Sequence, residues 1–196
     1  NPLNKSGDQV KIDWGYLYLA CNNPEAESFD CEIRGDKHIN ITTPIKENSS
    51  VVYYFAYDDI ESIEYFGKHL RSYWNKDGQS ITDAIAEAAE EYEKLVPVCN
   101  AFSKKLYDDA FTAGGEEYAE LLSLAYRQVI AAHKLVLDEN GEILYISKEC
   151  NSNGCAATVD VSYPSTPMYL LYNPELVKGM MRPVYKFALS DMWNFD

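Results

Sequence analysis

A chain of 196 residues, 46% of them hydrophobic, is long enough to bury one domain's core and too apolar for a disordered segment. Its 31 acidic residues against 17 Lys and Arg give a formal net charge of −14, which argues against nucleic acid and against an anionic membrane surface, since both draw on Lys and Arg. No apolar run approaches the roughly 20 residues that cross a bilayer, and five cysteines without CxxC spacing argue against a disulfide scaffold and a zinc knuckle.

The polar opening Asn1-Pro2-Leu3-Asn4-Lys5 has no signal-peptide character, as expected of a mature chain or an excised piece. Val10 to Trp14 alternates apolar and polar residues, and Gly15-Tyr16-Leu17-Tyr18-Leu19-Ala20 continues with aromatic strand formers. Strands are also predicted at His38–Thr42, by alternation, and at Val51–Tyr57, where the apolar run is dense enough for burial. These make residues 1–57 a β-rich entry segment. Sixteen Tyr and three Trp suit half-wet core positions first, and pocket walls or sugar-binding surfaces second.

From Asp58 onward, over 58–196, the pattern reads as helical. Ser80 with Asp83 is a variant capping box. Ile81, Ala84, Ile85, Ala88, Tyr92, Leu95, Cys99, Phe102, Leu106 and Ala110 then trace one helical stripe. Pro97 is expected to kink or divide this helix, and Gly114-Gly115 to end it. A second helix is predicted from Glu116 to Val136. Asp138-Glu139-Asn140-Gly141 turns into a short strand, Glu142–Ile146. Asn173-Pro174-Glu175 starts a last helix running toward Trp193, with Pro183 as another expected kink. Strands followed by antiparallel helices mean an α+β mixture, with too few helices to close a ring of helical hairpins.

Five stretches resemble the central domain of glutaminase A-like proteins: Ser6–Tyr16, Tyr65-Phe66-Gly67 with Tyr73-Trp74-Asn75, and Leu124–Gln128 with Ala131–Leu135. Further matches follow at Ser147-Lys148-Glu149, Ser152-Asn153-Gly154, Thr158–Val161, Tyr163-Pro164, Tyr172–Leu176 and Lys178-Gly179. The resemblance implies part of an incomplete (α/α)6 toroid, in a multidomain bacterial or fungal protein exported to the periplasm or medium. Its activity would be hydrolysis of L-glutamine to L-glutamate and ammonia, with this segment expected to be inactive alone and prone to self-association. The family runs on past Trp193-Asn194-Phe195-Asp196 into a segment bearing His and Asp, and it has an aromatic residue where Asn151 stands here. The implied partners are a small polar substrate, glutamine or a glycan, and the remaining domains of the same polypeptide. Two other readings stay open: part of a carbohydrate-active six-hairpin glycoside hydrolase, and a structural module between domains.

Glu149 and Asp160 bracket a loop that holds Asn151, Asn153 and Gly154, and they are the candidate catalytic acid and base. The bland alternatives are pairing with Lys148, helix capping and hydrogen bonds to loop amides. On the helix predicted from Glu116 to Val136, Gln128 falls within the apolar face, Arg127 and Lys134 fall opposite, and Tyr126 shares a flank with His133. A Gln in an apolar stripe calls for a hydrogen-bond partner, from loop backbone or a polar cavity. Arg127, Gln128, His133 and Asn153 are thus candidate substrate-binding residues, together with Asp13 and Trp14, whose acid-plus-aromatic grouping suits either a sugar or simple sheet filling. There is no GxSxG elbow, Walker loop, HExxH or dinucleotide fingerprint. With His38, His69 and His133 dispersed, no metal and no cofactor is expected.

Overall fold

The computed structural model describes residues 14–149 and 154–194. The strand expected before Trp14 lies outside them, as do Asp13 and Asn153. Four antiparallel hairpins and a set of helices make up a mixed α and β fold.

The first two hairpins are nested. β1 (Tyr16–Cys21) pairs with β4 (Tyr53–Asp58) in a register running from Tyr16↔Asp58 to Cys21↔Tyr53. Between them in sequence, β2 (Glu27–Ile33) pairs with β3 (Asp36–Thr42). Arg34 and Gly35 close the β2–β3 turn with φ of 55° and 87°, the positive pair whose twist suits a two-residue hairpin. At the entrance to β1, Gly15 has φ +99°, and a Cβ there would sit on the Asp58 carbonyl oxygen. The close approach lets the Tyr57 hydroxyl donate to the Trp14 carbonyl, while Trp14 Nε1 donates to the Glu61 carbonyl at 3.2 Å.

Where helix was expected after Asp58, the chain first makes another hairpin, β5 (Ile63–Tyr65) with β6 (Lys68–Leu70). Phe66 and Gly67 supply its turn with φ of 48° and 76°. A 3-10 turn, Tyr73–Asn75, leads to α1 (Ile81–Ala131). The capping box forms as read: Asp83 N–H donates to Ser80 Oγ at 3.2 Å, and Ser80 N–H donates to the Asp83 carboxylate at 3.1 Å. The helix passes through Pro97 with helical torsions and breaks instead at Gly115, with φ 81° and ψ −170°. The two arms fold back on each other. Phe102 and Tyr126 bring their rings to 5.4 Å, whereas a straight helix rising 1.5 Å per residue would hold them about 36 Å apart.

The second arm stops at Ala131, short of the expected Val136. His133–Leu137 is instead β7, paired with β8 (Ile143–Ser147) from His133↔Ser147 to Leu137↔Ile143. The turn decides this outcome. The Asp138 carboxylate accepts from the amides of Asn140 and Glu142, both at 2.9 Å, and Gly141 takes φ +77°, so the two strands are locked in register.

The β7–β8 hairpin is the middle layer of the core. On one face Val136, Leu144 and Ile146 pack against Ile63 and Tyr65, with Leu70 and Ala157 alongside. On the other, Tyr145 and Leu135 pack against helices that follow a short α2 (Val159–Ser162), namely α3 (Thr166–Tyr172) and α4 (Pro174–Ala188). α4 starts at Pro174 as read, with Asn173 in the N-cap position, although the Asn173 side chain makes no capping hydrogen bond. The helix continues through Pro183 and ends at Ala188, before Trp193.

Replacing Gly15 by Ala should cost about 2 kcal/mol, the scale of a side chain forced into a sparsely populated backbone region. Urea unfolding of the variant measures this, and an unchanged midpoint would show that the β1 entrance is not held as described.

Candidate functional site

The loop after β8 is gathered at its neck by hydrogen bonds. Lys148 N–H donates to the Ala132 carbonyl at 2.9 Å, Glu149 N–H to the Cys155 carbonyl at 3.2 Å, and Ala157 N–H to the Ser147 carbonyl at 2.9 Å. Ser147 Oγ lies 2.8 Å from Ser162 Oγ, so the end of β8 touches the end of α2. Glu149 and Asp160 each stand two residues from that contact. Glu149 is half-buried, and Asp160 is exposed on the first turn of α2. Two carboxyl groups are thus carried on the two rims of one loop.

The strongest electrostatic feature lies elsewhere. Asp59 is 1% exposed at the corner between β4 and β5. Lys134 on β7, with a side chain 27% exposed, places Nζ 2.5 Å from its carboxylate. Ser62 Oγ donates to Asp59 at 2.7 Å, Ser72 Oγ donates at 3.3 Å, and the two hydroxyls lie 2.6 Å apart. Burial pushes the Asp59 carboxyl up, but the Lys134 and Ser62 hydrogen bonds and the lysine charge outweigh it, leaving its pKa below the usual 3.8. The pairing commits Lys134 to Asp59 as a structural tie between β7 and the β4–β5 corner. Its position corrects the sequence reading, which set Lys134 beside Arg127 on a helix. Asp59 escaped that reading because nothing in its local sequence marks it as buried; its partner is 75 residues away.

His133 is also on β7. Its ring stacks on Tyr145 at 4.4 Å and meets the edge of Tyr169 at 6.0 Å. Nδ1 lies 2.6 Å from the Val129 carbonyl and therefore carries the proton, while Nε2 is buried without a hydrogen-bond partner among the described residues. Gln128 is exposed, next to Leu121 and Leu124, which are 65% and 54% exposed. The stripe that holds Gln128 faces solvent here, so the expected buried partner for its amide is not required. Arg127 is exposed, and Trp14 is committed to its bond with Glu61. Of these residues, His133 reaches the neck of the Glu149 loop, pairing with Ser147 across the β7–β8 hairpin, while its ring turns to Tyr145 and Tyr169.

A groove of about 460 Å³ runs between β4 and the first arm of α1, walled by Tyr54, Phe55, Tyr57 and Trp74 with Ile85 and Ala88 beneath. Among the described residues, no group of three or more His, Cys, Asp or Glu could hold a metal ion, and no helix is long and apolar enough to cross a membrane.

Two family models match the chain. The one described as the glutaminase A six helical-hairpin domain covers residues 115–196, and one described as a domain of unknown function (DUF5127) covers residues 37–109. Among curated proteins, Glutaminase A of Aspergillus oryzae is 28% identical over 92% of this chain and 31% of its own length. A protein of Arthroderma benhamiae named as a probable glutaminase is 30% identical over 53% of this chain and 12% of its own length. The chain therefore spans less than a third of the length of these relatives. No solved structure matches it.

Asp59 lies in one matched segment and Lys134 in the other, so the buried pair joins the two. Because the Asp59 pKa is lowered on folding, its stabilisation is fully present above pH 3.8 and is lost as pH falls through the folded-state value. Lys134→Met removes the counter-charge and should destabilise the fold by about 3 kcal/mol, the scale of a broken buried pair. It should also move acid unfolding to higher pH. Adding Asp59→Asn should cancel that movement. Unfolding titrations from pH 2 to pH 7 decide it, and an acid transition unmoved by Lys134→Met would refute the assignment.

Proposed function

Because the chain belongs to the glutaminase A-like family, we propose that it is part of an exported hydrolase that converts L-glutamine to L-glutamate and ammonia. The observation that carries this reading is the similarity to Glutaminase A over 92% of the chain, which spans both matched segments and is not confined to one motif. In this reading the protein is periplasmic or secreted, and the helical hairpin of α1 with α3 and α4 is part of an (α/α)6 toroid. The reaction needs water added to the side-chain carboxamide carbon and a proton delivered to the departing ammonia. In this reading Glu149 and Asp160, on the two rims of one loop, share those duties as base and acid. The half-buried position of Glu149 favours it as the group nearer the chemistry. Arg127 and Gln128 are exposed on the second arm of α1, His133 pairs with Ser147 at the base of the loop with its ring turned to Tyr145 and Tyr169, and Asp13 and Asn153 fall outside the described residues.

The aromatic groove favours a second reading, a carbohydrate-active six-hairpin hydrolase, because Tyr and Trp faces stack on sugar rings. The readings separate on one assay. A longer protein containing this chain should release ammonia from glutamine and no reducing sugar from a glycan panel. Glu149→Gln in that protein should lower glutamine turnover by about 10²-fold with melting temperature unchanged. Sugar release without ammonia release would overturn the glutaminase reading, and full activity in the variant would remove Glu149 from the chemistry.

Apolar residues at Val98 (64% exposed), Leu121 and Leu171 (70% exposed) stand open on the helices. Such faces drive association. The chain by itself is therefore expected to turn over little glutamine and to self-associate in sedimentation velocity; a strictly monomeric, fully active sample would contradict this.

A further inference from the structure

We infer that His133 is an acid-operated latch that holds α3 and α4 on the β7–β8 hairpin. The argument starts from the imidazole's surroundings. One ring nitrogen donates to the Val129 carbonyl, and the other is buried with no acceptor within reach among the described residues. A second proton would create a donor with no partner and a charge inside an apolar cluster. That cluster is built from Tyr145 and Leu135 of the hairpin, Val129 of α1, Met168 and Tyr169 of α3, and Leu176, Val177 and Met180 of α4.

Among the described residues no carboxylate hydrogen-bonds to the ring, and the carboxylate of α1 on this aromatic side, Asp109, is taken by Lys105 and Tyr172. The polar groups of β8, α3 and α1 nearby are the phenols of Tyr145, Tyr169 and Tyr126, the first two bonded to each other at 3.0 Å. Burial pushes all three phenols up, so they stay neutral. On α4, Lys178 pairs with Glu175, and Arg182 binds the Ile143 carbonyl and Glu142 at the far end of the hairpin. On β7 itself Lys134 is committed to Asp59 on the opposite face. Burial accordingly holds the His133 pKa below 6.5, with the Val129 hydrogen bond opposing it only in part.

The sign of the effect follows. The open form binds the proton more readily than the closed form, so closure is complete above pH 6.5 and weakens as pH falls toward the folded-state value. The opposite face of the hairpin does not share this weakness. There the core is Ile63, Val136, Leu144 and Ile146, and the nearby Asp59 pair survives to below pH 3.8. Mild acid should therefore loosen one layer and leave the other. Arg182 keeps α4 tethered near the β7–β8 turn, while the α3 end, which follows the Glu149 loop, comes away.

The test is hydrogen exchange on the intact chain between pH 7 and pH 5, corrected for intrinsic exchange rates. Amides of α3 and the first half of α4 should open about tenfold more per pH unit below 6.5, as one proton requires, while β5, β6 and β8 amides keep their protection. His133→Phe, which keeps an aromatic ring on Tyr145, should abolish the pH dependence. In case that variant fails to fold, imidazole NMR of the wild-type chain gives an independent answer. The latch predicts that the His133 signal titrates below 6.5 and together with the opening. An unperturbed titration near 6.5, protection indifferent to pH, or an unchanged pH dependence in His133→Phe would each overturn it.

Discussion

A carboxylate taken almost wholly out of water is stable only if charge and hydrogen bonds replace its hydration. Asp59 meets that condition through Lys134, Ser62 and Ser72, and those partners come from three different stretches of chain. The β4–β5 corner, the segment after β6 and strand β7 must all be in place at once. The isolated bridge between Ser72 and Val136, and the bond from Ser62 N–H to the Leu70 carbonyl at 2.8 Å, continue the same junction in backbone. The ion pair is thus the electrostatic edge of the core that Ile63, Tyr65, Val136, Leu144 and Ile146 form beside it. It makes the two segments that match separate family models one packed unit.

Two neighbouring residues of β7 divide the labour of this junction. Lys134 faces the β5–β6 side and is paired with Asp59; His133 faces the helices and is held neutral. Strand alternation imposes the division, since successive side chains point to opposite faces. Gly179 completes the helical side. A Cβ there would lie 3.0 Å from the Tyr145 amide nitrogen, so the absence of a side chain sets how closely α4 approaches the hairpin.

Much of this architecture was legible in the sequence where local chemistry decides it. The Ser80–Asp83 box, the break at Gly115, the Asp138–Gly141 turn and the Asn173-Pro174 start each have a side chain or backbone reason within a few residues. The errors came where distant partners decide. Leu135 and Val136 continue the helical spacing of the second arm, so only pairing with β8 reveals them as strand. Pro97 sits in a helix long enough to absorb it. Gln128 shares a face with apolar residues, yet that face is open, because an apolar stripe in sequence does not state whether anything covers it. Asp59 carried no local signal. Of the candidate site, the sequence singles out the Glu149–Asp160 loop by its polar residues and glycine, while the hydrogen bonds at its neck and the position of His133 in an aromatic stack depend on partners distant in sequence.

The weakly packed part of the structure is the β2–β3 hairpin, whose Phe29, Ile33 and Ile39 are exposed. If the β7–β8 hairpin is the centre on which the rest depends, native-state hydrogen exchange should show it directly. The amides of Val136, Leu144 and Ile146 should exchange only through global unfolding and should share one free energy, while those of β2 and β3 exchange faster through local opening. Slowest exchange in β2–β3, or local opening of β7–β8 ahead of its neighbours, would contradict the account.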